Sequence, residues 1–247
     1  SKSPIFGDTI KYIEEQSKHE VKGACHLTPS CMRDVLDYAI SSNDVQNYGI
    51  FVLMLLSIEL FLRKMEFSSL SEANFNVNMF VMVDEFVCEA LNLKVFGKRK
   101  RKKKSGPNNH VTAWRYLYIW GDDTFPDLDL NCHLFAWLYA IGWKGGCIFP
   151  SKKELKRPPA DGSYNTFITS DEWYEQLGYI FKTVLKRDDK LQCHTGRKSG
   201  YLFAMVRGAE YASIMLAAEH DQYESSVKYG KDCEAIMQVN ETFGDQR

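Results

Sequence analysis

The sequence predicts a mostly helical α+β protein with one small antiparallel sheet. Three observations carry this. Apolar residues recur at three- and four-residue intervals in several separate segments, the helical period. Around residues 90–120 the period changes to two on either side of a basic run, the mark of a strand pair. Helix-start signals (Thr28-Pro29, Asn43-Asp44, Ser170-Asp171-Glu172) introduce the helical segments. With 45% hydrophobic and 26% charged residues over 247 positions, the composition excludes wholesale disorder, collagen-like repeats and a multi-span membrane protein.

Each element follows in order. Residues 9–18 form a short polar helical lead-in. Thr28 before Pro29 reads as an N-cap with proline in the first turn, and Met32, Val35, Leu36 and Ala39 follow at helical spacing. Asn43 and Asp44 break this helix and cap the next, which the apolar content extends from Tyr48 to Ser68. A helix apolar on nearly all sides is a core helix. Ala90 to Phe96 alternates as a strand, runs through Gly97 into Lys98-Arg99-Lys100-Arg101-Lys102-Lys103-Lys104, and turns at Ser105 to Asn109. Val111 to Trp120 returns as an aromatic, β-branched strand whose row Trp114, Tyr116, Tyr118, Trp120 reads as a sheet face on the core. The pair forms a hairpin over 90–120 with a basic tip. Leu130 to Ile141 is helical, Lys144 to Pro150 a turn and short extended piece, and Leu155 to Asn165 a loop. Helices follow through Leu185, over 196–208 and 209–218, and in a last pair over 224–229 and 231–239.

The chain begins at Ser1 and its first methionine is Met32, which reads as a fragment of a longer protein. Residues 1–21 are then a lead-in or linker, 22–247 one domain, and 230–247 its tail. The apolar run Tyr48–Leu62 is too short to span a bilayer and lies too far inside to be a signal peptide. The cysteines stand singly without a C-x-x-C pair, which predicts no zinc site of that type and reduced thiols in the cytosol or nucleus. The net charge of -1 argues mildly against a nucleic-acid binder. Its distribution argues the other way. The basic run at 98–104 concentrates cations on the hairpin, and Asp122, Asp123, Asp127 and Asp129 are expected to make the opposing surface acidic.

Three local patterns carry the candidate chemistry. Arg63 and Glu66 lie three apart after the apolar helix and share a face. Alone, this reads as a helix-surface ion pair. His194 and Arg197 lie three apart at a helix start, where both side chains and free backbone N–H groups suit an anion. Tyr229 follows His220 by nine residues, with Tyr223 as the nearer competitor. The sequence has no glycine-rich phosphate loop, no H-E-x-x-H and no G-x-S-x-G.

In this order the set R-x-x-E, strand ending Gly97-Lys98, H-x-x-R, and His220 with Tyr229 resembles the catalytic domain of the tyrosine recombinases, the phage integrase family. The resemblance runs from Lys22–Pro29 to Tyr229. The segment Leu130–Pro150 is most similar to the eukaryotic branch carried by Crypton-type DNA transposons. There are departures. Where the family often has Thr-Gly-Leu-Arg, this chain has Leu60-Phe61-Leu62-Arg63, and Glu219-His220 replaces Gly-His. The stretch from Arg63 to Gly97 is longer than in compact bacterial members.

The resemblance implies the tyrosine recombinase fold and cleavage of double-stranded DNA without metal or cofactor. Tyr229 would attack a phosphodiester and store it as a 3′-phosphotyrosyl bond. Arg63 and Arg197 would clamp the phosphate with planar forks. His194 and His220 would hydrogen-bond it, His194 also suiting the tyrosine proton. Lys98, with Lys100 as the alternative, would give a proton to the departing 5′-oxygen, and Glu66 would orient Arg63. Lys100, Arg101, Lys102 and Lys198 are expected to contact DNA phosphates, and the basic run also reads as a nuclear localisation signal. Recombination implies a homo-oligomer, a tetramer on DNA, in the nucleus and away from membranes. Two alternatives stay open: relaxation of supercoils by a type IB topoisomerase-like enzyme, and a domesticated DNA-binding domain without catalysis.

Overall fold

Thr28 opens the first helix as its Thr-Pro signal predicts, its hydroxyl accepting the Cys31 N–H at 3.2 Å. The computed structural model describes residues 26–62, 66, 69–83, 86–100, 110–119, 122–187, 195–218, 230, 233 and 237. Helix α1 (Pro29–Ser41) buries Met32, Val35, Leu36 and Ala39, and Asn43, at φ 48, ends it in the left-handed region. Asp44 accepts the Gln46 N–H at 2.9 Å and starts α2 (Val45–Glu59). Every residue of α2 from Gly49 to Ile58 is buried, so it is the central core helix.

This helix is shorter than its apolar pattern predicts. It stops at Glu59 instead of running to Ser68, because Phe61 turns left-handed at φ 50. The Phe61 N–H then reaches the Ile58 carbonyl at 3.3 Å and the Leu62 N–H reaches that of Ser57 at 3.1 Å. Those two bonds make a Schellman motif, which satisfies carbonyls that the ending helix would leave without partners. No glycine, asparagine or proline marks the stop in sequence.

Strands β1 (Phe75–Val83), β2 (Phe86–Lys100) and β3 (His110–Ile119) form an antiparallel sheet in that order. The expected hairpin at 90–120 is thus the second half of a larger sheet. The additional strand has no strict alternation, and its pairing with β2 makes it a strand. Leu93, Val95 and the half-buried Leu117 stitch the sheet to the main core. The side chains of the aromatic row and of the basic run lie outside those described, as do residues 101–109.

The acidic segment after the sheet is also used structurally, while Asp123 and Asp127 stay exposed as expected. Asp122 accepts the Thr124 and Phe125 N–H groups, Asp127 pairs with Arg33, and Asp129 caps α3 (Leu130–Ala140) through the Cys132 N–H. The predicted loop over 155–165 holds the end of a short helix, α4 (Lys152–Lys156), and strand β5 (Ser163–Tyr164), parallel to β4 (Gly145–Gly146). Glu154 shapes this segment by accepting the backbone N–H groups of Asn165 and Thr166. Helix α5 (Ser170–Thr183) carries a capping box one residue earlier than expected, on Thr169 and Glu172. Helices α6 (Thr195–Val206) and α7 (Tyr211–Ala217) follow. The lead-in at 9–18 lies outside the described residues. So do the last helices, except Gly230, Cys233 and Met237, which are helical.

Among the described residues, the buried hydrophobic side chains form two groups. The main core gathers α1, α2, α3, α5 and the sheet around residues such as Phe51, Leu53, Trp137 and Phe181. A smaller one joins Phe61, Tyr201, Leu202, Ile214, Ala218 and Cys233. Among the described residues no helix is long and apolar enough to cross a membrane.

Candidate active site

Helix α6 meets the end of α2 at close to backbone contact. A Cβ on Gly196 would lie 2.4 Å from the Ser57 hydroxyl oxygen. A Cβ on Gly200 would lie 2.4 Å from the Ile58 carbonyl oxygen and 2.9 Å from the Phe61 ring. The four-residue spacing puts both glycines on one helix face, and the absence of side chains there sets the approach. Into this junction Arg197 sends its guanidinium. Its Nε and Nη2 donate to the Phe61 carbonyl at 3.1 and 3.0 Å, and the residue is 3% exposed.

The entry and tail of the domain meet the same helix. The Leu27 N–H donates to the Ser199 hydroxyl at 2.8 Å. Ser199 in turn donates to the Thr195 carbonyl at 2.8 Å. Arg187 donates to the His26 carbonyl at 2.9 Å. Cys233 is fully buried, with its Sγ 3.6 Å from His26 Nε2. Gly230, the residue after Tyr229, lies against α7, where a Cβ would be 2.4 Å from the Tyr211 ring. Met237 packs on the small core. The segment following Tyr229 therefore touches its own chain.

Of the sequence-predicted set, Arg197 sits at the start of a buried helix, in contact with the residue two positions before Arg63. Glu66 is helical and 2% exposed, which fits a carboxylate turned toward the fold. Lys98 and Lys100 stand in β2 opposite Thr112 and His110. Lys198 is 6% exposed, because α6 is buried on nearly all sides from Thr195 to Phe203. Arg63, Arg101, Lys102, His194, His220, Tyr223 and Tyr229 lie outside the described residues.

Two residues the sequence reading passes over shape this region. One is Phe61. The other is Arg207, at the far end of α6. Its Nη1 and Nη2 donate to Glu59 at 2.7 Å each, and Nη2 also reaches Asp122. Its guanidinium lies 5.4 Å from the Phe125 ring centre and 5.5 Å from that of Phe203. Burial pushes the Glu59 carboxyl up, and the Arg207 hydrogen bond pulls it partly back. Burial pulls Arg207 down, but the hydrogen bonds to Glu59 and Asp122 outweigh this and raise it. Arg207 thus ties α2, α6 and the segment after β3 together.

No protein-family model matches the chain, and no curated protein does. Solved structures do match. The XerH site-specific recombinase bound to difH substrate, a pre-cleavage complex, superposes with a TM-score of 0.53 at 14% identity, over 83% of this chain and 49% of that one. The Tn1549 transposon integrase in complex with circular intermediate DNA gives 0.51 at 11% identity, over 84% and 61%. The fold is that of the tyrosine recombinase catalytic domain. The chain spans about half the length of the XerH protein. Phe61, within the Leu60-Phe61-Leu62-Arg63 segment, has φ 50, the conformation that favours glycine.

Proposed function

We propose that this chain cleaves and rejoins DNA through a phosphotyrosyl intermediate on Tyr229. The observation that carries the reading is the buried, doubly anchored Arg197 fork, in a fold shared with recombinases and integrases solved on DNA. An arginine fork fixed on a carbonyl holds its planar guanidinium in one orientation. That suits the charge that grows on the non-bridging oxygens during phosphoryl transfer.

In the proposed reaction the Tyr229 oxygen bonds to phosphorus and the bond from phosphorus to the 5′-oxygen breaks. His194 takes the tyrosine proton, and Lys98 gives one to the leaving oxygen. Arg63, Arg197 and His220 hold the phosphate, and Glu66 orients Arg63. Rejoining is the reverse with a new 5′-hydroxyl, so the phosphotyrosyl bond conserves the energy and no nucleotide is consumed. The Leu130–Pro150 segment supports a Crypton-type assignment. The basic run supports nuclear residence and phosphate contact by Lys100, Arg101 and Lys102. Exchange between two duplexes calls for a tetramer on DNA.

The test is a suicide DNA substrate that traps the covalent adduct. Tyr229→Phe abolishes the adduct and leaves DNA binding intact, Tyr223→Phe retains it, and the wild-type adduct forms in EDTA. Cleavage that requires magnesium and leaves no adduct, or an adduct that persists in Tyr229→Phe, would overturn the assignment. Strand exchange between paired sites separates recombination from supercoil relaxation.

A further inference from the structure

We propose that position 61 positions Arg197 through its backbone carbonyl, held in a left-handed conformation that Phe61 adopts only because position 200 has no side chain. The proposal rests on the reading of Arg197 as a phosphate clamp.

The observations are local and independent. Phe61 has φ 50, where a β-carbon crowds the backbone and glycine is the usual occupant. The same residue ends α2, and its carbonyl takes both Nε and Nη2 of Arg197, 136 residues away in sequence. Two donors on one edge of a planar guanidinium fix its plane and direction, where a single hydrogen bond leaves rotation. The side fork of Nε and Nη2 is thereby committed to the protein. The ring is accommodated on the other side of this backbone. It stands edge-on to Tyr201, with centroids 5.8 Å apart and planes at 87°, and only 2.9 Å from where a Cβ on Gly200 would lie. Backbone strain of this kind persists where its surroundings over-determine it, and it gathers at functional sites.

The consequence separates backbone from side chain. Phe61→Gly removes the ring but accepts the left-handed backbone at no steric cost, so the carbonyl stays in place. Phe61→Val removes the ring as well, and its β-branch is the poorest fit to that conformation. Arg197 Nε–H exchange with solvent, followed by nuclear magnetic resonance, is expected to stay slow in the wild type and in Phe61→Gly and to become fast in Phe61→Val. The rate of covalent adduct formation at saturating DNA should fall about a hundredfold in Phe61→Val, the size expected of a misplaced reacting group, with the dissociation constant for DNA unchanged. Phe61→Gly should stay within about threefold of the wild type in rate. Gly200→Ala keeps phenylalanine at position 61 and presses its new Cβ against the Phe61 ring and the Ile58 carbonyl. It should reproduce the slow phenotype and decides the matter where Phe61→Val fails to fold. Slow Nε–H exchange and wild-type cleavage in Phe61→Val, or equal losses in Phe61→Gly and Phe61→Val, would overturn the proposal. A wild-type protein that forms no adduct would instead sink the strand-cleavage reading, while the Nε–H measurement still decides the anchor.

Discussion

The two cores of this molecule are built by different means. The main one is apolar burial in its ordinary form, with α2 enclosed from Gly49 to Ile58 and Gly49 letting the Trp137 ring sit where a Cβ would be 2.5 Å away. Its helices start on side-chain caps, and α1 and α3 stop at Asn43 and Gly142, residues suited to left-handed turns. The small core lies under the candidate site and is held by less comfortable devices. It has a phenylalanine in a glycine conformation, a helix whose glycines replace side chains at the contact, and polar pins through Ser199, Arg197 and Cys233. The difference teaches a division of labour. One core supplies stability from volume and apolar area, and the other holds a few polar groups in fixed directions where strain and burial of charge are tolerated.

The largest expected effect tests the main core. Leu53 is fully buried, and Leu53→Ala should cost about 4 kcal/mol through lost contacts and a residual cavity. Denaturant titration measures the loss. Adduct formation per folded molecule should not change, and a selective loss of cleavage would erase the distinction between the cores.

Arg207 belongs to the boundary, so its removal should reach both. Arg207→Ala strands Glu59 and Asp122, and about 3 kcal/mol is expected, the low end for breaking a buried pair because the arginine side chain is 23% exposed. The pH dependence has a definite sign. The Glu59 carboxyl is already raised by burial, and without Arg207 it rises further. A carboxyl raised in the folded state favours folding in acid and opposes it once pH passes the unfolded value of about 4.3. The stability gap between Arg207→Ala and the wild type should therefore widen from pH 4 to pH 7 in thermal unfolding. A gap that narrows would remove Glu59 from the explanation.

The smallest effect belongs to the surface. Arg33 and Asp127 pair at 2.5 Å, but both side chains are 45% exposed. Arg33→Ala should cost under about 1 kcal/mol. The Arg33 hydrogen bond holds the Asp127 carboxyl below its usual range, so what the pair contributes is present at neutral pH and fades as acid protonates Asp127. Urea midpoints of the variant and the wild type that converge toward pH 3 check this.

Much of the main core was legible. The caps at Thr28 and Asp44 and the buried row Met32, Val35, Leu36, Ala39 follow from rules that act within a few residues. The end of α2 was not, because the residue that stops it is a phenylalanine with no local reason to turn left-handed. Strand β1 was missed because its pairing partner, not its own alternation, makes it a strand. In the candidate site, Arg197 was legible as a motif residue, whereas its anchor on Phe61 was not.

The sequence by itself determined where most helices begin, that a basic strand pair interrupts them, and which arginines, histidines and tyrosines are candidates for chemistry. Those are properties of neighbours along the chain, set by capping, period and residue type. Only the tertiary structure decided that Lys198 is buried, that Asp122 answers Arg207, and that Phe61 gives its carbonyl to Arg197. Each of these depends on groups far apart in sequence that share one volume. A glycine at position 200 can relieve a phenylalanine at position 61 only once the fold has brought α6 against the end of α2.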